Sequence, residues 1–245
     1  NTSKSRLCFA NKESAIVNTV KVVAHRGYAA KYLENTLEAL SEAVKAGATM
    51  VEFDVQFTKD LTPIMLHDDN FKRTMGLDLS VFEITQRELK GKLELKQISE
   101  VKEVMVWLKA NPGVKAFVEL KQESIQMHGL EVCVKALRES CDPAIDQCVF
   151  ISFNPDSVKT AQECGFKETG WVVLSYDEAA AKISKNLSPD YLFGDKGILP
   201  NDGSRLWEGC WEWVIYEVTS REVASRLFAR GVKIIESKEV EKMLS

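Results

Sequence analysis

Val51-Glu52-Phe53-Asp54-Val55-Gln56-Phe57, continuing through Thr58-Lys59-Asp60-Leu61-Thr62 into Pro63-Ile64-Met65-Leu66-His67-Asp68, is the stretch that decides the fold. In its first seven residues apolar and polar side chains alternate strictly. A period of two places Glu52, Asp54 and Gln56 on one face of a β-strand and the four apolar residues on the other. The next five residues read as a tight turn, and Pro63–Leu66 as a second short strand. With no helix between them, the two strands pair antiparallel as a hairpin. A turn centred on Lys59-Asp60 sets His67 opposite Glu52 or Phe53.

Away from this hairpin, short β-rich runs alternate with amphipathic stretches. The runs are 22–25, 50–57, 116–120, 148–152, 170–174, 190–193, 213–218 and 232–235, with helical patterns over 36–46, 98–110, 125–139, 156–164, 177–184, 220–230 and 238–244. In 98–110, Ile98, Val101, Val104, Met105 and Leu108 share one helical face. Gly47, Gly165 and Gly231 each stand between a helical pattern and the next strand, as helix C-termini do. Strand–helix alternation implies parallel strands joined by right-handed crossovers. Eight such units predict a closed (β/α)8 TIM barrel in the α/β class, with the hairpin as an extension after the second strand. A doubly wound open sheet is the alternative.

The chain has 245 residues, 45% apolar and 28% charged, a balance that buries a large core and excludes a disordered chain. Its formal charge of -4 lacks the net basic field of a general nucleic-acid binder, so no nucleic acid partner is expected. Cys8, Cys133, Cys141, Cys148, Cys164 and Cys210 show neither CxxC nor zinc-like spacing and read as buried thiols of a reducing compartment, although their even number leaves disulfides open. No apolar run approaches the ~20 residues of a membrane-spanning helix. The first twenty residues are polar and mixed, unlike a signal peptide. The expectations are an N-terminal segment at 1–20, one barrel domain at 21–245, no stable membrane insertion and a cytoplasmic location. The periplasm is the alternative if a leader preceded Asn1.

The chemistry concentrates early. In a parallel barrel the strand face turned from the helices points inward, where unpaired carboxylates such as Glu52 and Asp54 are costly. A cation resolves that cost. Ala116-Phe117-Val118-Glu119-Leu120-Lys121 adds a third acid, with Glu119 and Lys121 on one face. Three carboxylates without nearby cysteine suit a hard divalent ion, Mg²⁺ or Ca²⁺. At Val22-Val23-Ala24-His25-Arg26-Gly27, His25 closes a strand, Arg26 offers a planar fork suited to phosphate oxygens and Gly27 permits close backbone approach. His67 supplies a second imidazole. Two imidazoles flanking a phosphorus remove a proton from the attacking oxygen and return one to the leaving alkoxide. Glu34, in the first βα loop, is placed to pair with Arg26 or touch the metal shell, and Asn35 or Thr36 caps the following helix. His128 has no assigned role.

His25-Arg26-Gly27, Glu34-Asn35-Thr36, Glu52-x-Asp54, Thr58-x-Asp60, Pro63 through His67-Asp68 and Glu119-x-Lys121 together resemble the glycerophosphodiester phosphodiesterase family, more weakly continued in Ile151-Ser152-Phe153-Asn154-Pro155. The resemblance covers essentially residues 21–240 and is most specific in the first hundred. It implies a TIM barrel that hydrolyses glycerophosphodiesters to glycerol 3-phosphate and an alcohol with one divalent cation. Carried over, it implies His25 and His67 as the acid–base pair, Glu52, Asp54 and Glu119 as metal ligands, and Arg26 and Lys121 on the phosphate. The short spacing from His67 to Glu119 is similar to the compact bacterial cytoplasmic type. The family's Trp-Thr-Val segment stands here as Tyr216-Glu217-Val218, and its Thr-Asp after the last strand as Glu236-Ser237. Tyr216 is expected as an aromatic wall for a glycerol moiety. Two rivals remain: a phospholipase-like enzyme of membrane lipids, disfavoured by the missing amphipathic segment, and a catalytically silent phosphodiester-binding protein.

Overall fold

A computed structural model describes residues 20–245; Cys8 lies outside the described residues. In chain order the elements are β1 (Lys21–Ala24), α1 (Leu37–Lys45), β2 (Met50–Phe57), β3 (Pro63–Met65), α2 (Lys72–Met75), α3 (Gln86–Gly91), α4 (Val101–Ala110) and β4 (Lys115–Leu120). There follow α5 (Gln122–His128), α6 (Leu130–Cys141), β5 (Cys148–Ser152), α7 (Pro155–Glu163), β6 (Glu168–Val173) and α8 (Glu178–Leu187). The chain closes with β7 (Tyr191–Asp195), β8 (Glu212–Tyr216), α9 (Arg221–Ala229), β9 (Ile234–Ser237) and α10 (Val240–Leu244).

Eight parallel strands run in the order β1-β2-β4-β5-β6-β7-β8-β9, and β9 returns to β1, so the barrel is closed. β3 lies outside this ring, antiparallel to β2, with Val55 opposite Met65, Gln56 opposite Ile64 and Phe57 opposite Pro63. Past the last pair, the Leu66 amide donates to the Asp54 carbonyl at 3.0 Å. The hairpin therefore has the expected register and delivers His67 to the level of Phe53.

Alternation along the strands divides the interior in two. Val23, Phe117, Ile151, Val172, Phe193 and Ile234 fill the lumen as part of one apolar cluster. Their neighbours in sequence, such as Val51, Phe53, Val118, Phe150 and Ile235, face outward against the helices in another. A third cluster, including Ile64, Leu66, Phe71, Val81 and Leu89, covers the outside of the hairpin. Apart from Ile64 and Leu66 of the hairpin itself, it is built from residues 70–98, where the sequence shows no clear period and where α2, α3 and short 3-10 turns form. The single helix expected over 125–139 is two, because Gly129 adopts φ 90° between α5 and α6. Between β7 and β8 only a 3-10 turn at Lys196–Ile198 replaces a crossover helix.

Local chemistry sets the catalytic end. Thr36 caps α1 by accepting from the Ala39 amide at 3.1 Å. Gly27, at φ 76°, lies against this helix: a Cβ there would stand 2.5 Å from the Ala39 carbonyl carbon and 2.7 Å from the Leu40 nitrogen. Only glycine permits that approach.

Candidate active site

At the C-terminal ends of the strands a cavity of about 200 Å³ is lined by His25, Arg26, Asp54, His67, Glu119 and Lys121 on one side and by Phe153, Val172, Phe193 and Tyr216 on the other, with Glu217 and Glu236 at β8 and β9. Catalytic groups of parallel barrels gather at this end. Glu52 stands directly beneath, 2% exposed.

The carboxylates are held by a dense set of contacts. The Arg26 backbone amide donates to Glu52 Oε2 at 2.8 Å, and its guanidinium lies 3.1 Å from Asp54 Oδ2 and 2.9 Å from Glu34 Oε1. Asn35 Nδ2 donates to Asp54 Oδ2 at 2.9 Å, while the Asp54 amide donates back to Asn35 Oδ1 at 3.0 Å. Lys121 Nζ donates to Glu119 Oε1 at 2.8 Å and lies 3.3 Å from Asp54 Oδ1. Arg26, Asn35 and Glu217 all hold positive φ, at 55°, 54° and 57°. Such strain persists only where surrounding contacts over-determine it.

Burial and charge split the acids. Burial pushes Glu119 up to about 7 in spite of Lys121. It raises Glu52 well above the carboxylate range, with Asp54 and Glu236 adding repulsion, and Glu236 likewise, with Glu119 and Asp54 adding theirs. Asp54 resists its own burial and is held down at about 2 by Lys121, Arg26 and the Asn35 hydrogen bond. Glu52, Asp54 and Glu119 each place a carboxylate oxygen within 4.8 Å of the others, and Glu52 Oε1 is buried without a hydrogen-bond partner. An all-oxygen set with an orphaned buried carboxylate oxygen fits a hard divalent cation.

The imidazoles differ. His67 Nδ1 sits 2.7 Å from Asp68 Oδ1, leaving Nε2 as the ring nitrogen without that partner. Asp68 is held in turn by Arg73 Nε at 2.7 Å, and Arg73 Nη2 also reaches Glu34 Oε1 at 2.6 Å. His25 is 9% exposed, with Nδ1 3.5 Å from Glu217 Oε1 and Nε2 3.6 Å from Glu236 Oε1. Burial, aided by Arg26, lowers it to about 4, so its ring is neutral near pH 7.

All nine residues singled out in the sequence thus lie in or against one cavity: His25, His67, Glu52, Asp54, Glu119, Arg26, Lys121, Glu34 and Tyr216. Sequence reasoning missed the Asn35 clamp and the Arg73 bracket, and it noted Glu236 only as a departure from the family's Thr-Asp, without a role. Glu236 carried a readable signal, since Ile234-Ile235-Glu236 continues the inward alternation of β9 by one residue. His128 packs against Phe57 and Phe82, away from the cavity lining.

A family model described as the glycerophosphoryl diester phosphodiesterase family matches residues 25–181. A glycerophosphodiester phosphodiesterase of Bacillus altitudinis is 32% identical over 127 residues, 47% of this chain and 51% of that protein. A lysophospholipase D of Homo sapiens is 40% identical over 78 residues, 31% of this chain and 25% of that protein. These matches span about half the length of the first relative and a quarter of the second. Among solved structures, the glycerophosphodiester phosphodiesterase of Thermotoga maritima is 25% identical, with a TM-score of 0.71 over 91% of this chain and 96% of that one. An Oleispira antarctica phosphodiesterase, in complex with the product sn-glycerol-3-phosphate, shares the fold at 21% identity, with a TM-score of 0.76 over 91% and 94%.

Proposed function

The chain belongs to the glycerophosphoryl diester phosphodiesterase family, and from that premise we propose that it hydrolyses small glycerophosphodiesters to glycerol 3-phosphate and an alcohol with one divalent cation, Mg²⁺ or Ca²⁺. The observation that carries this reading is the convergence of two imidazoles, three clustered carboxylates and two cationic side chains on one cavity.

Glu52, Asp54 and Glu119 would hold the cation. When bound, it supplies stabilisation of charge on a non-bridging phosphate oxygen. Arg26 and Lys121 offset the remaining charge, positioned by Glu34, Asp54 and Glu119 before substrate arrives. His25, kept neutral by burial, is suited to accept the proton of the nucleophile, either water or a hydroxyl of the substrate's own glycerol. His67, with Asp68 orienting the ring through Nδ1 so that Nε2 is free, is suited to protonate the leaving alkoxide. Tyr216, Phe153 and Phe193 pack on the carbon skeleton, and Lys121 stands 5.8 Å from the Phe153 ring centroid.

No described helix is long and apolar enough to cross a membrane, and the cavity volume suits a small headgroup diester. A coupled assay for glycerol 3-phosphate across several headgroups, with and without chelator, tests the reading. Metal-dependent release from at least one headgroup is expected; no release from any, with cation present, overturns it.

A further inference from the structure

Two ligand triads overlap in this cavity. Besides Glu52, Asp54 and Glu119, the donor atoms of His25, Glu52 and Glu236 also lie within 4.8 Å of one another, and Glu52 belongs to both sets. The second triad is unusual on three counts. Glu236 is 3% exposed, yet among the described residues its only ion-pair neighbour is His25, at 3.6 Å; no Lys or Arg reaches it. Glu52 Oε1 is buried with no hydrogen-bond partner, and Glu52 stands where the triads join. Third, Glu217, the other acid at His25, is already paired with Lys238 at 3.3 Å, whereas Glu236 faces only the His25 ring and the Glu52 carboxyl, with no cationic side chain in contact. The hydrolytic reading gives Glu236 no task. An uncompensated buried carboxylate is costly, and a cation removes that cost.

We infer that His25, Glu52 and Glu236 form a second divalent-cation site, joined to the first through the Glu52 carboxylate. One imidazole nitrogen and two carboxylates make a borderline donor set, suited to Zn²⁺ with an open fourth position, whereas the all-oxygen triad suits Mg²⁺ or Ca²⁺. Carboxylate-bridged ions a few ångström apart are common in phosphodiester chemistry. Here the consequence is inhibitory. A Zn²⁺ ion on His25 occupies the nitrogen lone pair that would accept a proton, so the second ion stops turnover while leaving the first in place. The inhibition rests on the proposed role of His25; the binding does not.

The test uses the full chain saturated with Mg²⁺ and titrated with ZnCl₂, following the ring resonances of its three histidines by NMR and bound zinc by equilibrium dialysis. One zinc per chain is expected, moving the ring signals that His25→Ala lacks, with glycerol 3-phosphate release falling at least ~10-fold in step, as expected when a proton-transfer group is lost. Glu236→Gln should weaken zinc binding at least ~10-fold, the usual lower bound for losing a ligand or its support. Glu236→Thr serves as the second variant, and circular dichroism verifies that each is folded. Unmoved His25 signals in the wild-type chain, or equal zinc affinity in folded wild-type and Glu236 variants, overturns the inference. If zinc binds at His25 but no Mg²⁺-dependent hydrolysis is found at any zinc level, the second site stands and the hydrolytic reading fails.

Discussion

The cavity has two unlike walls. β2, β4 and β9, with the residue after β1, contribute His25, Glu52, Asp54, Glu119 and Glu236, each buried and each beside another charged or polar group. β6 to β8, and the loop after β5, contribute Val172, Phe193, Tyr216 and Phe153, fixed by packing. Under the proposed function, the difference assigns reaction to the first wall and recognition to the second. Groups on the charged wall depend on one another's ionisation, so removing one unbalances the rest. Groups on the apolar wall contribute contact area, roughly in proportion to what is removed.

The sharpest way to break this division is at its charged side. His67→Ala and His25→Ala should each lower kcat by ~10²-fold or more, the usual contribution of general acid–base catalysis, with little change in melting temperature. Near-full activity in either variant would show that the charged wall is not the reacting one. Chelation should abolish turnover, and Mg²⁺ or Ca²⁺ should restore it; activity indifferent to chelator would remove the metal role from Glu52, Asp54 and Glu119.

A second effect is structural. Gly27→Ala combines a disfavoured φ of 76° with a Cβ 2.5 Å from the backbone of α1. It should cost about 2–4 kcal/mol of stability in denaturant unfolding, in the range of strained or overpacked sites. A cost under ~0.5 kcal/mol, the level of an ordinary surface substitution, would mean that β1 and α1 are not locked together there.

Acid titration separates the two kinds of carboxylate within the charged wall. Glu119 is raised to about 7 by burial, so the folded metal-free chain holds its proton more tightly than the unfolded chain. Its contribution to stability is complete below the ordinary carboxylate range and is lost as pH rises towards about 7. Asp54 runs the other way: its contribution is present above the ordinary range and is lost as pH falls towards about 2. His25, lowered to about 4, adds a slope of the opposite sign, so the Glu119 effect is read as a difference. The metal-free wild type should lose melting temperature relative to Glu119→Gln between about pH 5 and 7. A difference between the two proteins that stays constant across the interval contradicts the assignment of burial as the dominant cause at Glu119.

The two walls were also unequally legible in the sequence. Period-two alternation exposed Glu52, Asp54 and Glu119, because a charged residue inside an apolar strand has few structural explanations. The tight turn at 58–62 placed His67, since hairpin register follows from loop length. The barrel was readable because strand–helix alternation leaves few closed topologies. What stayed hidden depends on tertiary proximity: Arg73 reaches Glu34 across 39 residues, and Asn35 looks like a cap candidate until Asp54 is beside it. Phe193 carries no signal of its own in the sequence, and Phe153 stands out only through the weaker resemblance at 151–155, since apolar side chains look alike whether they face a ligand or a helix. The family model stops at residue 181, before β7, β8 and β9, where Phe193, Tyr216 and Glu236 stand.

The smallest expected effect lies on that apolar wall. Tyr216 ends β8 half-buried in the cavity, and burial, with Asp195 and Glu119 nearby, pushes its hydroxyl up to about 12. It is therefore neutral at any pH the assay would use and cannot serve there as a phenolate base. If its ring only packs on substrate carbon, contact is lost equally from the bound substrate and the transition state. Tyr216→Ala should then raise KM by roughly 10-fold with kcat nearly unchanged, the pattern of lost uniform binding. Tyr216→Phe should restore KM, since the ring carries the contact. A fall in kcat for Tyr216→Phe would instead place the hydroxyl among the reacting groups and move the boundary between the two walls to β8.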